Sequence, residues 1–219
     1  MTRPIPAPAI ESRWPVALTI GVVLVLLRLL PDRIRVFPVW LTYLLGIAIL
    51  GAIALVPLTG GKRQALRTER WITLLFCLVV GGGMLAGLRH LLFEMFDPSG
   101  DLDGLELFTS SVAVWVIGIL IFALVYWQSD RGGPEVRLSD RRRSPDWLFP
   151  QAELEDILPH WQPTFVDYLF LSYTIATAFS PADVAPITTR AKLMLMAQSL
   201  ISLATILVVV SRAIGIIGT

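Results

Sequence analysis

The stretch LELFTSSVAVWVIGILIFALVYW, Leu105 to Trp127, decides the fold. A helix needs roughly 20 largely apolar residues to cross the ~30 Å hydrocarbon layer of a bilayer, because no water is present there to satisfy backbone N–H and C=O groups. Three earlier stretches meet the same requirement, from about Pro15 to Leu30, Pro38 to Pro57 and Trp71 to Phe93. The first is short and reaches further if Arg28 extends its charged end toward the headgroups. After the deciding stretch, Phe165 to Ser180 is barely long enough to span, and Leu193 to Ile217 is ample. The reading is an all-α polytopic integral membrane helical bundle of about six spans. Its fifth span is short, with re-entry of that segment as the alternative.

Punctuation supports these bounds. Pro15 and Pro38 suit first-turn positions, where the missing N–H costs nothing, while Pro31 and Pro57 stop the helices before them. Trp14, Trp40, Trp71 and Trp127 lie near span ends, as interfacial aromatics do. Arg3 and Arg13 precede the first apolar run in the manner of a signal peptide, but that run ends in Leu-Leu-Pro with no small-residue cleavage site, so an uncleaved span is expected.

Composition agrees. The 219 residues are 55% hydrophobic and 16% charged, with a mean hydropathy of +0.69. Soluble domains run nearer 45–50% apolar and about 25% charged. Too few charged groups remain to cover a water-facing surface, which excludes a conventional soluble enzyme and a disordered tail. One cysteine cannot pair internally, and a formal net charge of +1 supplies no phosphate-seeking field, so no nucleic-acid partner is expected.

Three regions follow: a four-span membrane region over 1–127, a polar Arg- and Pro-rich segment over 128–163, and a short helix plus a long one over 164–219. The polar segment carries Arg131, Arg137, Arg141, Arg142 and Arg143, and Glu153 to Leu158 is expected as a short surface helix that Pro159 ends. Orientation comes from Lys and Arg in the loops. Lys62, Arg63, Arg67 and Arg70, together with the Arg-rich segment, point to the cytoplasmic side. The loop with Glu94, Asp97, Asp101, Asp103 and Glu106 has no basic residue and reads as external; Arg33 and Arg35 vote weakly the other way. The expectation is a multi-pass protein of the cell (inner or plasma) membrane with both termini cytoplasmic.

Chemistry-bearing residues are sparse. His90 and His160 fall on different segments and Cys77 has no ligand partner at metal spacing, so no metal, catalytic or cofactor site is expected and an enzyme is not the reading. The sequence Asp97-Pro-Ser-Gly-Asp101-Leu-Asp103-Gly104 resembles a calcium loop only at its centre: Ser99 and Ser110 stand where the terminal acidic ligands belong. It reads as a solvated acidic turn. Gly81-Gly82-Gly83 and the Gly83-x-x-x-Gly87 spacing form a small-residue face, read first as packing within one bundle. Arg89 reads as reaching Glu94 or the headgroups. In the last span Gln198, Ser202, Thr205, Val209 and Arg212 recur every three or four residues and share one helix face. Polar groups in hydrocarbon need protein partners or water, so that face points inward, toward interhelical hydrogen bonds or a water-lined path.

The run from Asp167 to Arg190, followed by a long apolar helix, resembles the outline of a potassium-channel pore module: a short helix, a filter, a proline, then an inner helix. Asp183 matches the filter aspartate and Pro186 the proline, while Tyr168 and Ser172 suit the short helix. The Thr-Val-Gly-Tyr-Gly filter is replaced, with Thr177, Ala178, Phe179, Ser180, Pro181 and Ala182 leading to Asp183. Potassium filters present consecutive backbone carbonyls and use glycines at angles that residues with a Cβ rarely adopt. Here Pro181 fixes its own φ and pushes Ser180 to extended geometry, so potassium selectivity is not expected.

A longer resemblance is to a bacterial family of uncharacterised integral membrane proteins grouped as a domain of unknown function, the DUF1345-like proteins. It rests on the Trp-bearing fourth span, the Gly132-Gly133 turn, the Phe149-Pro150 element, Asp167-Tyr168-Leu169-Phe170-Leu171-Ser172-Tyr173, and Thr177-Ala178-Phe179 continuing to Asp183. The Arg-rich insertion before Asp146 departs from it. The resemblance implies a bacterial membrane location and no defined activity. The functional expectation is a channel-like or transport-related protein without a potassium-type filter. The alternative is a non-conducting scaffold or assembly partner that docks through the Arg-rich segment. The lipid bilayer is the expected partner, and a homo-oligomer is compatible with the pattern.

Overall fold

In the computed structural model, residues 11–32, 35, 37–58, 63–96, 104–139, 143–154, 161–181 and 183–217 are described. The deciding stretch forms α4, Gly104–Ser129, and α4 is the central post: it touches α1 (Trp14–Leu29), α3 (Arg63–Phe96), α6 (Phe165–Ala178) and α7 (Thr189–Ile217). The helix α2 (Val39–Leu58) lies against α1 and α3. Among the described residues three helices are long and apolar enough to cross a membrane, within α3, α4 and α7. The shorter apolar stretches are Trp14–Leu29, Trp40–Val56 and Phe165–Ala178.

Local sequence explains the ends. Pro15 occupies the first turn of α1, and Leu30, which precedes Pro31, leaves the helix in extended geometry (φ −69°, ψ 138°). The helix α3 begins eight residues before Trp71 because Arg63 to Arg70 contains no Gly or Pro break, and Glu69 already finds Arg13 at 3.1 Å. Gly83 packs against Phe37 and Gly81 against Ile121, so this glycine face is used within the bundle. Packing of α1 to α4 leaves an apolar cavity of about 30 Å³ beside Gly83, Gly87 and Met84.

One end of the molecule, here termed the base, gathers the starts of α1, α3, α6 and α7 and the end of α4. Arg13 lies 4.9 Å from the ring centre of Trp127. Arg70 donates to the Gly132 carbonyl, the Phe165 amide donates to Glu11 at 2.6 Å, and Arg190 donates to the Ser129 carbonyl at 2.8 Å. The polar segment folds onto this base. It contains α5 (Pro134–Ser139) and a two-residue strand β1 (Trp147–Leu148), which pairs antiparallel with β2 (Ala185–Pro186), Trp147 opposite Pro186. Trp147 packs at a tilt against Tyr126 and Phe149 edge-on against Tyr168, at 4.8 and 5.4 Å between centroids. Arg137 is buried, and Arg143 lies against Gly132. The described part of this segment is therefore bound into the bundle. The surface helix expected over 153–158 falls mostly outside the described residues, as does His160; the described Pro150–Glu153 just before it form a 3-10 turn.

The path of α6 differs from a short fifth crossing. Its 14 residues rise about 21 Å from the base, against the ~30 Å of a hydrocarbon layer. Phe179 then adopts a left-handed backbone (φ 54°), and Ser180-Pro181 bars further helix. The chain comes back: the Ile187 amide donates to the Asp146 carbonyl at 2.9 Å, and α7 starts at the base beside α6. Both helices run away from the base in the same direction, so Glu11 and the end of α7 lie at opposite ends.

Candidate functional site

The hairpin of α6, the return segment 179–188 and α7 is the feature that sets this fold apart from a plain bundle, and two polar assemblies hold it. The first is at the base. Helix starts expose unpaired N–H groups and a partial positive charge. The starts of α6 and α7 each meet a carboxylate from another element. Glu11 accepts from the Phe165 amide and, at 3.0 Å, from the Trp127 indole. Asp146 accepts from the Thr188 hydroxyl at 2.6 Å, while that hydroxyl accepts from the Ala191 amide, capping α7. Arg190 also pairs with Asp146. Within the chain itself, the Thr164 amide and hydroxyl donate to Asp167 at 2.7 and 2.8 Å, which fixes the entry angle of α6.

Asp130 joins the two starts. It is fully buried and accepts from the Tyr168 hydroxyl at 2.6 Å and from the Asp146 amide at 2.7 Å. Arg137 donates to the Trp127 and Asp130 carbonyls at 2.7 and 3.2 Å and lies 5.4 Å from the centre of the Tyr168 ring. Arg13 bridges Glu11 and Glu69. Burying single charges costs several kcal/mol each, and acid and base alternate here, Glu69–Arg13–Glu11–Arg137, with Glu11 also accepting from the Trp127 indole and the Phe165 amide. The turn that permits it is Arg131-Gly132-Gly133, three residues at positive φ (51°, 84°, 96°). A Cβ on Gly132 would meet Arg143 at 2.7 Å and one on Gly133 would meet the Gln128 carbonyl at 3.0 Å, so both need glycine.

The second assembly is inside the bundle. Gln198, on α7, donates from Nε2 to the Ser172 carbonyl and Oγ at 2.9 and 2.8 Å and accepts from the Tyr126 hydroxyl. Ser172 donates to the Ile119 carbonyl at 2.7 Å. Both ends of the Gln198 amide are thus engaged, and α4, α6 and α7 are tied at one level. Ser202 and Thr205 are buried on the same face, Thr205 donating back to the Ile201 carbonyl. Gln198, Ser202 and Thr205 on the last helix point inward, and Gln198 makes interhelical hydrogen bonds. The Arg212 side chain lies outside the described residues.

The pore-loop-like residues fall on the opposite side. Thr177, Ala178, Phe179, Ser180 and Asp183 are exposed, Pro181 is half-buried, and Ala182 lies outside the described residues. Thr177 donates to the Tyr173 carbonyl. The described residues of this run lie on the outer surface. The acidic turn over 97–103 also lies outside the described residues.

Sequence reasoning singled out Tyr168, Ser172 and Gln198 but missed Asp130, Asp146, Glu11, Glu69 and Tyr126. The available signal was a pair of acids, Asp130 and Asp146, flanking the Arg-rich run beside large aromatics. Nothing local paired them with residues about 40 positions away. No family model, curated protein or solved structure matches the chain.

Proposed function

We propose that this is a channel-like or transport-related membrane protein whose working element is the α6–return–α7 hairpin. The observation that carries this reading is the half-length path of α6. Phe179 to Pro181 is neither helix nor strand, is largely exposed, and stands about 20 Å from the base along α6. Irregular backbone at that depth cannot face lipid, because its N–H and C=O groups would find no partner; it is tolerated where it lines water or is covered by protein. The exposed hydroxyls of Tyr173, Thr177 and Ser180 fit a wet surface. Since Gln198 on the interior face is engaged at both ends of its amide, water would run along the outer side of the hairpin, enclosed by further copies of the chain.

The base carries Arg67, Arg70, Arg131, Arg137, Arg143 and Arg190, and by the positive-inside rule this supports a cytoplasmic base. The hairpin then dips in from the cytoplasm, and α7 leaves toward the external face. The alternative of a scaffold docking through the Arg-rich segment is weakened by the burial of Arg137.

Reconstitution into sealed vesicles tests the reading. The expected result is cation flux with little discrimination between potassium and sodium, reduced when Ser180→Cys, in a Cys77→Ser background, is modified by a water-soluble thiol reagent. Vesicles that stay sealed to both ions would favour the non-conducting scaffold. A reversal potential following potassium alone would overturn the expectation of non-selectivity.

A further inference from the structure

The outer face of α3 changes character along its length. Gln64, Arg67 and Thr68 are exposed near the base, Trp71 is 66% exposed one turn on, and Leu75, Leu78, Gly82 and Leu85 continue the same face. At that deeper level a groove of about 380 Å³ opens between α3 and α7, with Leu74, Leu78, Gly81 and Leu85 along one wall, Phe122 and Val125 of α4 as its floor and Ile201 opposite. The two adjacent glycines keep it open: a Cβ on Gly82 would meet nothing within 4 Å.

We infer that this face binds one anionic phospholipid, with the phosphate at Arg67 and Thr68 and an acyl chain in the groove. The order of groups matches such a molecule and no water-soluble one. A guanidinium, a hydroxyl and an amide come first, then an amphipathic indole of the kind found at headgroup level, then an apolar trough. Lengths agree as well. Trp71 and Gly82 are 11 residues apart on one helix, about 16 Å, or close to half of a ~30 Å hydrocarbon layer, so the trough runs through one leaflet. The opposite end of the same face does not repeat the pattern, because Arg89 lies 5.4 Å from the ring centre of Phe93. The site is separate from the hairpin's outer surface and does not depend on whether the protein conducts.

The purified full-length protein, exchanged into detergent, is titrated with phosphatidylglycerol, phosphatidylcholine or water-soluble glycerol phosphate. Retained lipid is read by native mass spectrometry and stability by thermal unfolding. Phosphatidylglycerol is expected to remain bound through gentle activation and to raise the unfolding temperature, with phosphatidylcholine weaker and glycerol phosphate without effect. Arg67→Ala, a surface change, should lower phosphatidylglycerol retention about fivefold. Gly82→Leu, which fills the trough, should lower retention of both lipids, and Arg89→Ala should change neither. Equal retention of the two lipids by the wild type, or wild-type retention by both Arg67→Ala and Gly82→Leu, would overturn the site. Stabilisation by glycerol phosphate equal to that by the lipid would remove the role of the groove.

Discussion

The four-helix side of the molecule and the α6–α7 hairpin are held by different means. Away from the base, α1, α2, α3 and α4 meet through close apolar contacts: Gly46 against Leu24, Gly118 against Met84, Gly81 against Ile121. The hairpin meets α4 through a ladder of polar contacts, from Asp146 and Asp130 at the base through Tyr168 to Gln198 and Ser172. The difference follows from what each part must specify. Lipid tails are as apolar as leucine, so apolar contact supplies close packing but little direction. Full-length helices need only that, since any of them satisfies its own backbone. A helix that stops partway and a chain that turns back have to be pinned at a definite depth, and directional bonds do so.

The largest expected effect lies at the base. Asp130→Ala strips the buried Tyr168 hydroxyl and the Asp146 amide of their acceptor, so it should cost ~2–6 kcal/mol, about 1–3 for each donor left unpaired. Unfolding midpoints in detergent check it, with Asp130→Asn expected to recover part of the loss. If Asp130→Ala unfolds with the wild type, the hairpin is not anchored there.

Gln198→Leu comes next. It leaves the buried Tyr126 hydroxyl without an acceptor and the Ser172 carbonyl without a donor, for ~1–3 kcal/mol. Adding Tyr126→Phe to it should cost less than the sum of the two single changes, and strict additivity in that cycle would show that the two side chains do not act together.

On the apolar side the effects should be smaller. An alanine at Gly46 brings its Cβ to 2.6 Å from the Leu24 side chain, which can swing away at ~1 kcal/mol. A loss as large as that of Asp130→Ala would erase the contrast between the regions. Gly82→Ala meets nothing and should be neutral or stabilising by ~0.5–1 kcal/mol, because alanine loses less backbone entropy in a helix. Destabilisation there would mean that another surface already sits on that face.

Much of this was legible beforehand. The apolar stretches ended at Pro31, Pro57 and near Trp127, and α1, α2 and α4 follow them within a residue or two, since proline chemistry and segment length act locally. The inward face of α7 could also be read, because helical periodicity places Gln198, Ser202 and Thr205 together whatever they pack against. The extension of α3 to Arg63 was not legible as such: its polar first turns look like loop until Arg13 is known to reach Glu69.

By itself, the sequence determined the class of protein, the bounds of α1, α2 and α4, and a stop for α6 near Ser180-Pro181, because proline lacks an N–H and pushes the residue before it out of helical geometry. It left open which way the chain goes from there. Only the tertiary structure decided that it turns back, since the decision rests on Asp146 holding Thr188 and Arg190 from more than 40 residues away, and on Asp130 holding both Asp146 and Tyr168. Bonds between groups so far apart in the chain leave no periodicity and no fixed spacing to read.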